Sequence, residues 1–425
     1  MTSAAQLSAH KQSAPEPIQL GYAEKPDEWF FQDAFPSKIG GKPVWLVPTM
    51  PLKSEQATCG ECSRPMALLL QLYTPEDNPK EAFHRTVYIF CCKDGACHRK
   101  AWTNCFKVFR SQLPEVNPFY FAEPIEAESD ESSGDIDILE VRDEDIRWRL
   151  NPNGPASKQC AVCGFHGTKT CSRCKQVYYC CREHQIIDWR SGEHRTHCIS
   201  EDANDTPTNG SVVKDNPYPQ VFFPLLEIVS EPEEIIAPSA SDDKSYEQYI
   251  STGTGSGPSF DEGITPDQAS REDLVDSESA VDAAFLEFQK RVSLYPDQIL
   301  RYVRTDYGRK DTKPLWVSDI DRPTAKNIPP CDHCGAERQF EFQILPQLLN
   351  YLGEDHMAQS SLDWGTLLVY SCPRNCIQSA EPSSSPSSVG EDPACRQKYV
   401  EEVIWRQDFS SDGVDKRYMR PKANS

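Results

Sequence analysis

The sequence lacks the features that identify membrane-spanning and secreted proteins. Its longest apolar runs are short, such as 66-MALLLQLY-73, whereas a bilayer-spanning helix needs about 20 apolar residues. The first residues, MTSAAQLSAHKQSAPEPIQL, contain no apolar core of a signal peptide. We therefore expect an intracellular protein without membrane contact, located in the cytoplasm with the nucleus as a second location.

The motifs of common enzyme classes are also missing. The chain contains no GxSxG, no Walker loop, no HExxH and no GxGxxG after a predicted strand. Scattered carboxylates do not form an acid/base pair unless a fold brings them together. The sequence therefore predicts a protein that is not an enzyme and has no catalytic residues.

Positive charge is scarce, with 44 Lys plus Arg against 65 Asp plus Glu and a net charge of −21. Residues 122–146 hold 11 acids and one base, and residues 201–278 hold 18 acids and three bases, so the other 322 residues sum to +4. Nearly neutral folded regions disfavour general nucleic-acid binding, which needs a basic surface. The acidic segments either attract basic protein partners or serve only to keep the chain soluble.

Composition divides the chain into folded regions and linkers. The apolar run 221-VFFPLLEIVS-230 would not stay exposed in a tether, so we predict a docked strand within 221–234. The predicted regions are a disordered tail (1–17), a β-rich N-terminal half (18–121), an acidic linker (122–156), a Cys/His island (157–200), a mostly disordered acidic linker (201–275) and a C-terminal half (276–425).

Local patterns predict mainly strands, together with one helix over 279–296 that Pro296 ends. Gly40-Gly41 predicts a tight turn with positive φ that leads into a strand at 44-VWLV-47. The other predicted strands are 66–73, 86–92, 105–112, 366–372 and 399–409.

The two halves contain the same order of features. Cys59-x2-Cys62 and Cys331-x2-Cys334 each precede an apolar run, a second strand and a second pair of cysteines. This repeat indicates duplication of one module. The predicted fold class is α+β, mainly β: a duplicated β-rich module with a small zinc-bound finger inserted between its halves and acidic disordered linkers.

Cysteine is abundant, and in a reducing compartment 18 Cys favour metal sites over disulfides. Eight candidate ligands in the island make two tetrahedral zinc sites, closed by protein ligands and therefore structural. In the interleaved arrangement that we predict, one site is Cys160, Cys163, Cys180 and His184, and the other is Cys171, Cys174, His194 and Cys198. Cys181 and His197 could each replace a neighbour.

The cysteines of the two halves predict up to two more zinc ions. The candidate ligands are Cys59, Cys62, Cys92 and Cys97 in the first half, and Cys331, Cys334, Cys372 and Cys376 in the second. Cys91 is an alternative to Cys92, because neighbours on a strand point to opposite faces. The competing interpretation is that these cysteines are buried apolar residues. Cys105 and Cys395 are predicted to be unpaired.

The island pattern CxxC…CxxC…YYCxxxHQxxDW…HxxxC resembles a MYND zinc finger, with His184 at a position that is usually Cys. The resemblance implies a protein-interaction module that binds proline-rich peptides, and it places Gln185 and Trp189 in the peptide groove. Trp189 could instead pack the small core of the finger.

The flanking segments resemble the programmed cell death protein 2 family, in the branch that carries the finger. The matching segments are 37-SKIGGKPVWL-46, 59-CGECSRPMALLLQLY-73, 83-FHRTVYIFCC-92, 222-FFPLLEIVSEPEE-234, 285-FLEFQKRV-292, 315-LWVSD-319 and 341-EFQILPQLLNYL-352.

This resemblance implies a dedicated chaperone of one basic ribosomal protein, eukaryotic small-subunit protein number two, that supports rRNA processing and 40S ribosome biogenesis. We expect the client to bind between the two halves or along a strand edge, and a chain without 157–200 to keep that binding. The alternative is a MYND-finger adaptor in transcriptional or apoptotic regulation. Direct RNA binding is a third hypothesis.

Overall fold

The computed structural model describes residues 18–27, 29–124, 146–151, 157–192, 194–198, 218–233, 283–303, 313–353, 358, 360–377 and 399–409. The predicted tail and most of the predicted 201–275 linker lie outside these ranges. Among the residues within them, no helix is both long enough and apolar enough to cross a membrane.

The chain folds around a closed antiparallel barrel of ten strands, joined by two small two-stranded sheets. The strands of the described ranges are β1 (Gln19–Glu24), β2 (Lys38–Ile39), β3 (Ala67–Tyr73), β4 (His84–Cys91), β5 (Phe106–Leu113), β6 (Tyr120–Pro124), β7 (Ile146–Leu150), β8 (Lys169–Thr170), β9 (Tyr178–Tyr179), β10 (Leu226–Pro232), β11 (Gln298–Tyr302), β12 (Gln339–Ile344), β13 (Thr366–Ser371) and β14 (Val400–Gln407). The order around the barrel is β1-β10-β2-β3-β4-β5-β14-β13-β12-β11. The prediction of a mainly β fold is confirmed.

The ring order is that of two five-stranded units that have exchanged their first strands. β10 lies in chain order after the finger, yet it pairs with β2 of the first half. Reciprocally, β1 pairs with β11 of the second half, and β1 and β10 pair with each other. Because each half completes the sheet of the other, the two predicted halves form one barrel rather than two domains. The strand expected within 221–234 is therefore an integral barrel strand.

In the described part of the chain, four α-helices surround the barrel and build the finger: α1 (Gly95–Ala101), α2 (Arg182–Ser191), α3 (His194–His197) and α4 (Ala283–Leu294). Short 3-10 helices cover Phe30–Gln32, Ser54–Ala57, Lys80–Ala82, Trp102–Asn104 and Pro346–Tyr351. The Asp94 side chain caps α1 by accepting a hydrogen bond from Ala96 N–H. The helix predicted over 279–296 is α4.

An ion pair crosses the barrel between its two halves. Arg85 on β4 binds the Glu341 carboxylate on β12 at 2.6 and 2.7 Å through its two terminal nitrogens. β4 and β12 are not neighbours in the ring, and both side chains are only 2% exposed. The pair therefore links the two halves from inside the barrel.

The turn at Gly40-Gly41 has the predicted backbone, with φ of +60° and +63°. A Cβ on Gly40 would lie 2.2 Å from the Pro224 carbonyl oxygen, so only glycine fits. The predicted strand at 44–47 is wrong, because this stretch is irregular although mostly buried. Side chains satisfy its backbone instead of a neighbouring strand: Gln71 accepts from Val44 N–H, and the Tyr88 hydroxyl accepts from Leu46 N–H.

The predicted linker 122–156 is shorter than expected, because β6 and β7 pair along their full lengths at its two ends. Trp148 of β7 packs edge-on against the buried His84 ring, 4.4 Å between centroids. This contact buries part of the Trp148 side chain and so stabilises β7. The acidic composition of the surrounding sequence gave no sign of it. Residues 125–145 between the strands lie outside the described part of the chain.

Candidate metal centres

The finger brings its eight candidate ligands together in the interleaved arrangement. In the first site, the Cys163 and Cys180 sulfurs lie 3.5 Å apart, and His184 Nδ1 lies 3.1 Å from Cys180. In the second site, Cys171 and Cys198 are 3.8 Å apart. The second site is completed by Cys174 and His194, with 3.8 Å between Sγ and Nε2.

These distances fit zinc and exclude disulfides. A tetrahedral ion with Zn–S bonds of about 2.3 Å separates its sulfurs by about 3.8 Å, whereas a disulfide would join two sulfurs at about 2.05 Å. Each site has four buried or half-buried protein ligands, which leave no position for a substrate or water. When bound, zinc supplies structural cross-linking in these sites, and it has no open coordination position for chemistry.

The two halves of the barrel each contain a further four-cysteine cluster. The ligand atoms in each cluster lie within 4.8 Å of one another. Cys62 and Cys92 are 3.8 Å apart in the first cluster, and Cys334 and Cys372 are 3.5 Å apart in the second. The N-terminal cluster is Cys59, Cys62, Cys92 and Cys97; the C-terminal cluster is Cys331, Cys334, Cys372 and Cys376.

All four CxxC turns have the same backbone, which argues that the clusters of the halves are of the same kind as those in the finger. In each turn, the residue after the second cysteine has positive φ and donates its N–H to the carbonyl of the first cysteine at 2.8–2.9 Å. These residues are Ser63, Gly164, Lys175 and Gly335. Glycine at two of the four positions was the local signal for this turn, because it adopts positive φ without strain.

Several alternative ligands lie outside the clusters. Cys91 points away from the N-terminal cluster, with its sulfur 3.7 Å from His98 Nε2, so Cys92 is the ligand. Cys181 instead caps α2, where its sulfur accepts from His184 N–H. His197 is exposed and bonds Thr196. Cys105, predicted to be unpaired, lies 3.9 Å from Cys59, and Cys395 is outside the described residues.

Hydrogen bonds shift the pKa values of two ligand groups against the effect of burial. Burial by itself lowers the pKa of His184, but hydrogen bonds to Cys160 and Cys163 raise that pKa to about 12. Burial raises the pKa of Cys62, yet the hydrogen bonds from Arg64 lower it to about 7. A metal ion would replace the protons on such groups, so metal binding should release protons.

The N-terminal cluster is attached to the second half of the chain. Gly95 and Arg99, both in the helix that carries Cys97, donate to the carbonyls of Ser360 and Ser361 at 2.8 and 3.4 Å. Trp102, just after this helix, packs edge-on against Trp405 of β14 at 5.4 Å. The first cluster therefore fixes a contact between the halves.

The C-terminal cluster is attached to the first half in return. Arg110 of β5 donates to the Cys376 carbonyl at 2.9 Å, and Gln112 donates to the Asn375 carbonyl at 3.1 Å. Glu402 binds both Arg110 and the Cys372 N–H, at 2.9 and 3.2 Å. Each four-cysteine cluster thus orders a segment that the opposite half holds.

The finger is packed on the barrel rather than held only by linkers. Trp45 Nε1 donates to the Gly164 carbonyl at 2.7 Å, and His166 N–H donates to the Leu52 carbonyl at 2.9 Å. Phe165 of the finger packs against Trp45 and Phe90, with centroids 5.9 and 5.2 Å away. The buried run 44–47 is therefore part of the barrel surface on which the finger packs.

The two residues that we predicted to line a peptide groove lie on the outer side of the finger. Gln185 is half-buried, and Trp189 is 37% exposed while its ring lies 5.9 Å from the His194 ring. Trp189 is thus partly exposed and also packs against a metal ligand, and its role in peptide binding stays a prediction. The opposite side of α2 lines a cleft of about 840 Å³ against the barrel, with Glu183 and Ile187 on its wall.

Sequence similarity to known proteins agrees with the geometry of the metal clusters. The chain matches the family models of the MYND finger at residues 160–198, and of the N-terminal and C-terminal domains of programmed cell death protein 2 at 17–127 and 282–408. It is 36% identical over 400 residues to mouse programmed cell death protein 2, covering 94% of this chain and 98% of the relative. The chain belongs to the programmed cell death protein 2 family, and carries that family's MYND finger.

More distant relatives differ in name. The human programmed cell death protein 2-like protein is 27% identical over 356 residues, covering 80% of this chain and 85% of that protein. A fission yeast protein named probable 20S rRNA accumulation protein 4 is 22% identical over 387 residues, covering 84% of this chain and 91% of that protein. No solved structure matches significantly.

Proposed function

We propose that this protein binds and protects a basic ribosomal protein, eukaryotic small-subunit protein number two, and so supports maturation of the 40S subunit. Membership of the family supports this proposal, as does the name of the fission yeast relative, which refers to 20S rRNA. The mechanism is binding by shape and charge, without catalysis. The same role places the protein in the cytoplasm, where its client is made, and in the nucleus.

The observation that carries the proposal is an acidic groove of about 330 Å³ on the outer face of β1 and β10. Tyr22 and Tyr351 contribute aromatic walls, and Val229, opposite Tyr22 in the β1–β10 ladder, adds an apolar surface. Its acidic lining residues are Glu24, Glu231 and Asp297. The groove lies where strands from the two halves meet, which supports a client site between the halves.

One carboxylate of this groove, Glu24, is repelled by a neighbouring carboxylate just outside the groove. Glu24 lies directly opposite Glu227 in the β1–β10 ladder, and like charges in such a pair are destabilising. Burial raises the pKa of Glu227, and the neighbouring Asp27, Glu24 and Asp33 carboxylates raise it further. Among the described residues, none of Glu24, Glu227, Glu231 and Asp297 forms an ion pair. The surface is therefore suited to a cationic partner.

A segment rich in Arg and Lys has the matching chemistry. Its cations would neutralise the groove carboxylates, and a guanidinium would stack on Tyr22 or Tyr351, a contact typically worth about 0.5–1 kcal/mol at an exposed site. The predicted alternative of strand addition is not available in the barrel, because its ten strands close on themselves. The client segment would lie across the groove instead.

The proposal is tested by affinity purification of tagged chains from their native cells, with mass spectrometry of the copurified proteins. We expect one small-subunit ribosomal protein at near-equal amount and without the rest of the subunit. The variant Glu24→Gln/Glu231→Gln/Asp297→Asn should reduce that recovery by roughly tenfold, because salt-sensitive attraction is lost. It should unfold at the same or a higher temperature, because the repulsion is relieved.

The matched control is Glu55→Gln/Asp77→Asn/Glu81→Gln, which makes the same change in net charge at exposed carboxylates of the first half. It should recover the client like the wild-type chain. If both variants lost recovery of the client equally, the loss would be an unspecific effect of net charge and would not support the groove as the binding site. Recovery of proline-rich nuclear regulators without the ribosomal protein would refute the chaperone function.

A second candidate function is that of an adaptor, which the exposed outer side of the finger favours. Deleting residues 157–200 is not a clean separation of the two functions, because it would uncover Trp45 and Phe90 on the barrel. Substitutions on the outer side of α2 separate them better. We expect such variants to keep the ribosomal client, in line with the expectation that the finger is dispensable for client binding.

A further inference from the structure

The N-terminal cluster has a fifth sulfur beside its four ligands. Cys105 is fully buried, and its sulfur lies 3.9 Å from that of the ligand Cys59. Two sulfurs on one tetrahedral zinc ion are separated by about 3.8 Å, so Cys105 is as close to Cys59 as another ligand would be. Its contact with the Ala101 carbonyl, at 3.5 Å, is long. The Cys105 thiol is therefore near the cluster and not held firmly elsewhere.

The strand ladder sets Cys105 beside a second ligand. β4 and β5 pair in a register that places Cys91 opposite Phe106. The register continues one step further, where Cys92 N–H donates to the Cys105 carbonyl at 2.9 Å. Directly opposed residues of antiparallel strands project from the same face. Cys105 thus neighbours Cys92 across the ladder, in addition to Cys59.

The four ligands of this cluster differ in exposure. Three of them are buried, and the fourth, Cys62, is half-buried. Ser63 and Arg64, which follow Cys62, line the cleft of about 840 Å³ between the finger and the barrel. Cys105 has no exposed surface. Because access governs which thiols react, a reagent in solution reaches Cys62 before it reaches Cys105.

We propose that the N-terminal cluster is a five-thiol zinc site in which Cys105 takes the place of Cys62 when that ligand is lost or modified. The replacement set is Cys59, Cys92, Cys97 and Cys105. The Cys105 thiol gives its proton to water and binds zinc through its sulfur, so the site again has four thiolates and needs no oxidant or reductant. This inference rests on zinc in the N-terminal cluster and is independent of the client.

The C-terminal cluster supplies a matched control. Its ligand at the position of Cys62 is Cys334, which is also half-buried. Among the described residues of the second half, every cysteine already belongs to this cluster. Cys395 lies outside the described ranges, so the control variant replaces it as well. Loss of Cys334 in that variant should cost the C-terminal cluster its zinc.

Zinc counts in the purified full chain, by elemental analysis, test the inference. We expect four zinc ions per chain in the wild type and in Cys62→Ser. We expect three in Cys62→Ser/Cys105→Ser and three in the control Cys334→Ser/Cys395→Ser. Cys62→Ser/Cys91→Ser should keep four, because the Cys91 sulfur points away from the cluster toward His98.

Three results would overturn the inference. Three zinc ions in Cys62→Ser, or failure of this variant to fold, would mean that Cys105 does not replace the missing ligand. Four zinc ions in Cys62→Ser/Cys105→Ser would mean that the other three thiolates hold zinc without it. A wild-type count of two would remove the zinc on which the inference rests.

A second measurement leaves all four ligands in place. The wild type and Cys105→Ser are treated with limiting N-ethylmaleimide, the modified cysteines are mapped by mass spectrometry, and released zinc is measured with a chromogenic chelator. Each alkylated Cys62 should release more zinc in Cys105→Ser than in the wild type. Equal release from the two proteins would overturn the inference.

Discussion

Removing Arg85 should break the barrel at the contact between its halves. In the substitution Arg85→Met, Glu341 loses both bonds of 2.6 and 2.7 Å from the guanidinium. The Asn375 side chain loses its bond of 3.0 Å from Arg85 Nε. Glu341 would remain 98% buried without its counter-charge. Breaking a buried pair in this way costs about 3–5 kcal/mol, so the free energy of unfolding should fall by that amount.

The comparison that tests this reasoning is the double variant Arg85→Met/Glu341→Gln. It removes the buried charge, and the glutamine amide can still accept from Ser371 through its oxygen and donate through its nitrogen to the Tyr302 hydroxyl oxygen; these two hydroxyls bond different oxygens of the Glu341 carboxylate in the wild-type chain. The double variant should therefore recover about 2 kcal/mol or more of the loss. Urea unfolding followed by tryptophan fluorescence measures both values.

The loss of unfolding free energy in Arg85→Met should depend on pH in a defined direction. Burial by itself raises the pKa of Glu341, but the Arg85 charge and hydrogen bonds lower it below the ordinary 4.5. A lowered pKa contributes stability above pH 4.5, which is lost as pH falls through the folded value. In Arg85→Met the buried carboxylate has a raised pKa, so it destabilises near neutral pH and less in acid. The gap between the two proteins should narrow as pH falls.

A loss below about 1 kcal/mol at neutral pH would refute the assignment of the pair to the barrel interior. So would a double variant that is less stable than Arg85→Met, or a gap between wild type and Arg85→Met that widens in acid.

Three other predictions concern the metal clusters, the turn at Gly40 and the contact of Trp45 with the finger. Elemental analysis of the purified chain should give four zinc ions per molecule, and Cys331→Ser should give three; a count of two would leave metal in the finger only. Gly40→Ala should cost at least about 2–3 kcal/mol in urea unfolding, because positive φ and a carbonyl 2.2 Å away both oppose a Cβ. Trp45→Phe should cost about 1 kcal/mol by the same measurement, since it removes the 2.7 Å bond to Gly164 but keeps a ring against Phe165; an unchanged free energy would mean that this bond does not hold the finger.

The family, the metal-ligand sets and the mainly β character could be read from the sequence because their signals are local. A CxxC turn needs its two cysteines three positions apart and a residue that tolerates positive φ just after them. The pairs Cys180/His184 and His194/Cys198 sit four residues apart, which is the spacing of one helix face. Such relations survive in any tertiary context, so the four ligand pairs of the finger needed no knowledge of the fold. Local spacing allows these pairs to be matched sequentially or interleaved, and the structure brings them together in the interleaved sets that we predicted.

Irregular and short elements were not predictable in the same way. The apolar run 44–47 has the composition of a strand, but Gln71 and Tyr88, which are distant in sequence, satisfy its backbone, and the finger covers its side chains. Strands β6 and β7 begin or end in acidic sequence, and their pairing depends on the contact of Trp148 with His84. In both cases a tertiary contact outweighed the local preference.

The sequence by itself determined the duplicated modules, the finger and its ligands, because composition and residue spacing encode them directly. Only the tertiary structure decided that β1 and β10 are exchanged between the halves, since any of several strand orders would bury the same apolar residues. That exchange closes the barrel, places Arg85 against Glu341 and sets Glu24 beside Glu227. Charge pairs between residues hundreds of positions apart depend on register and ring order, which no local pattern records.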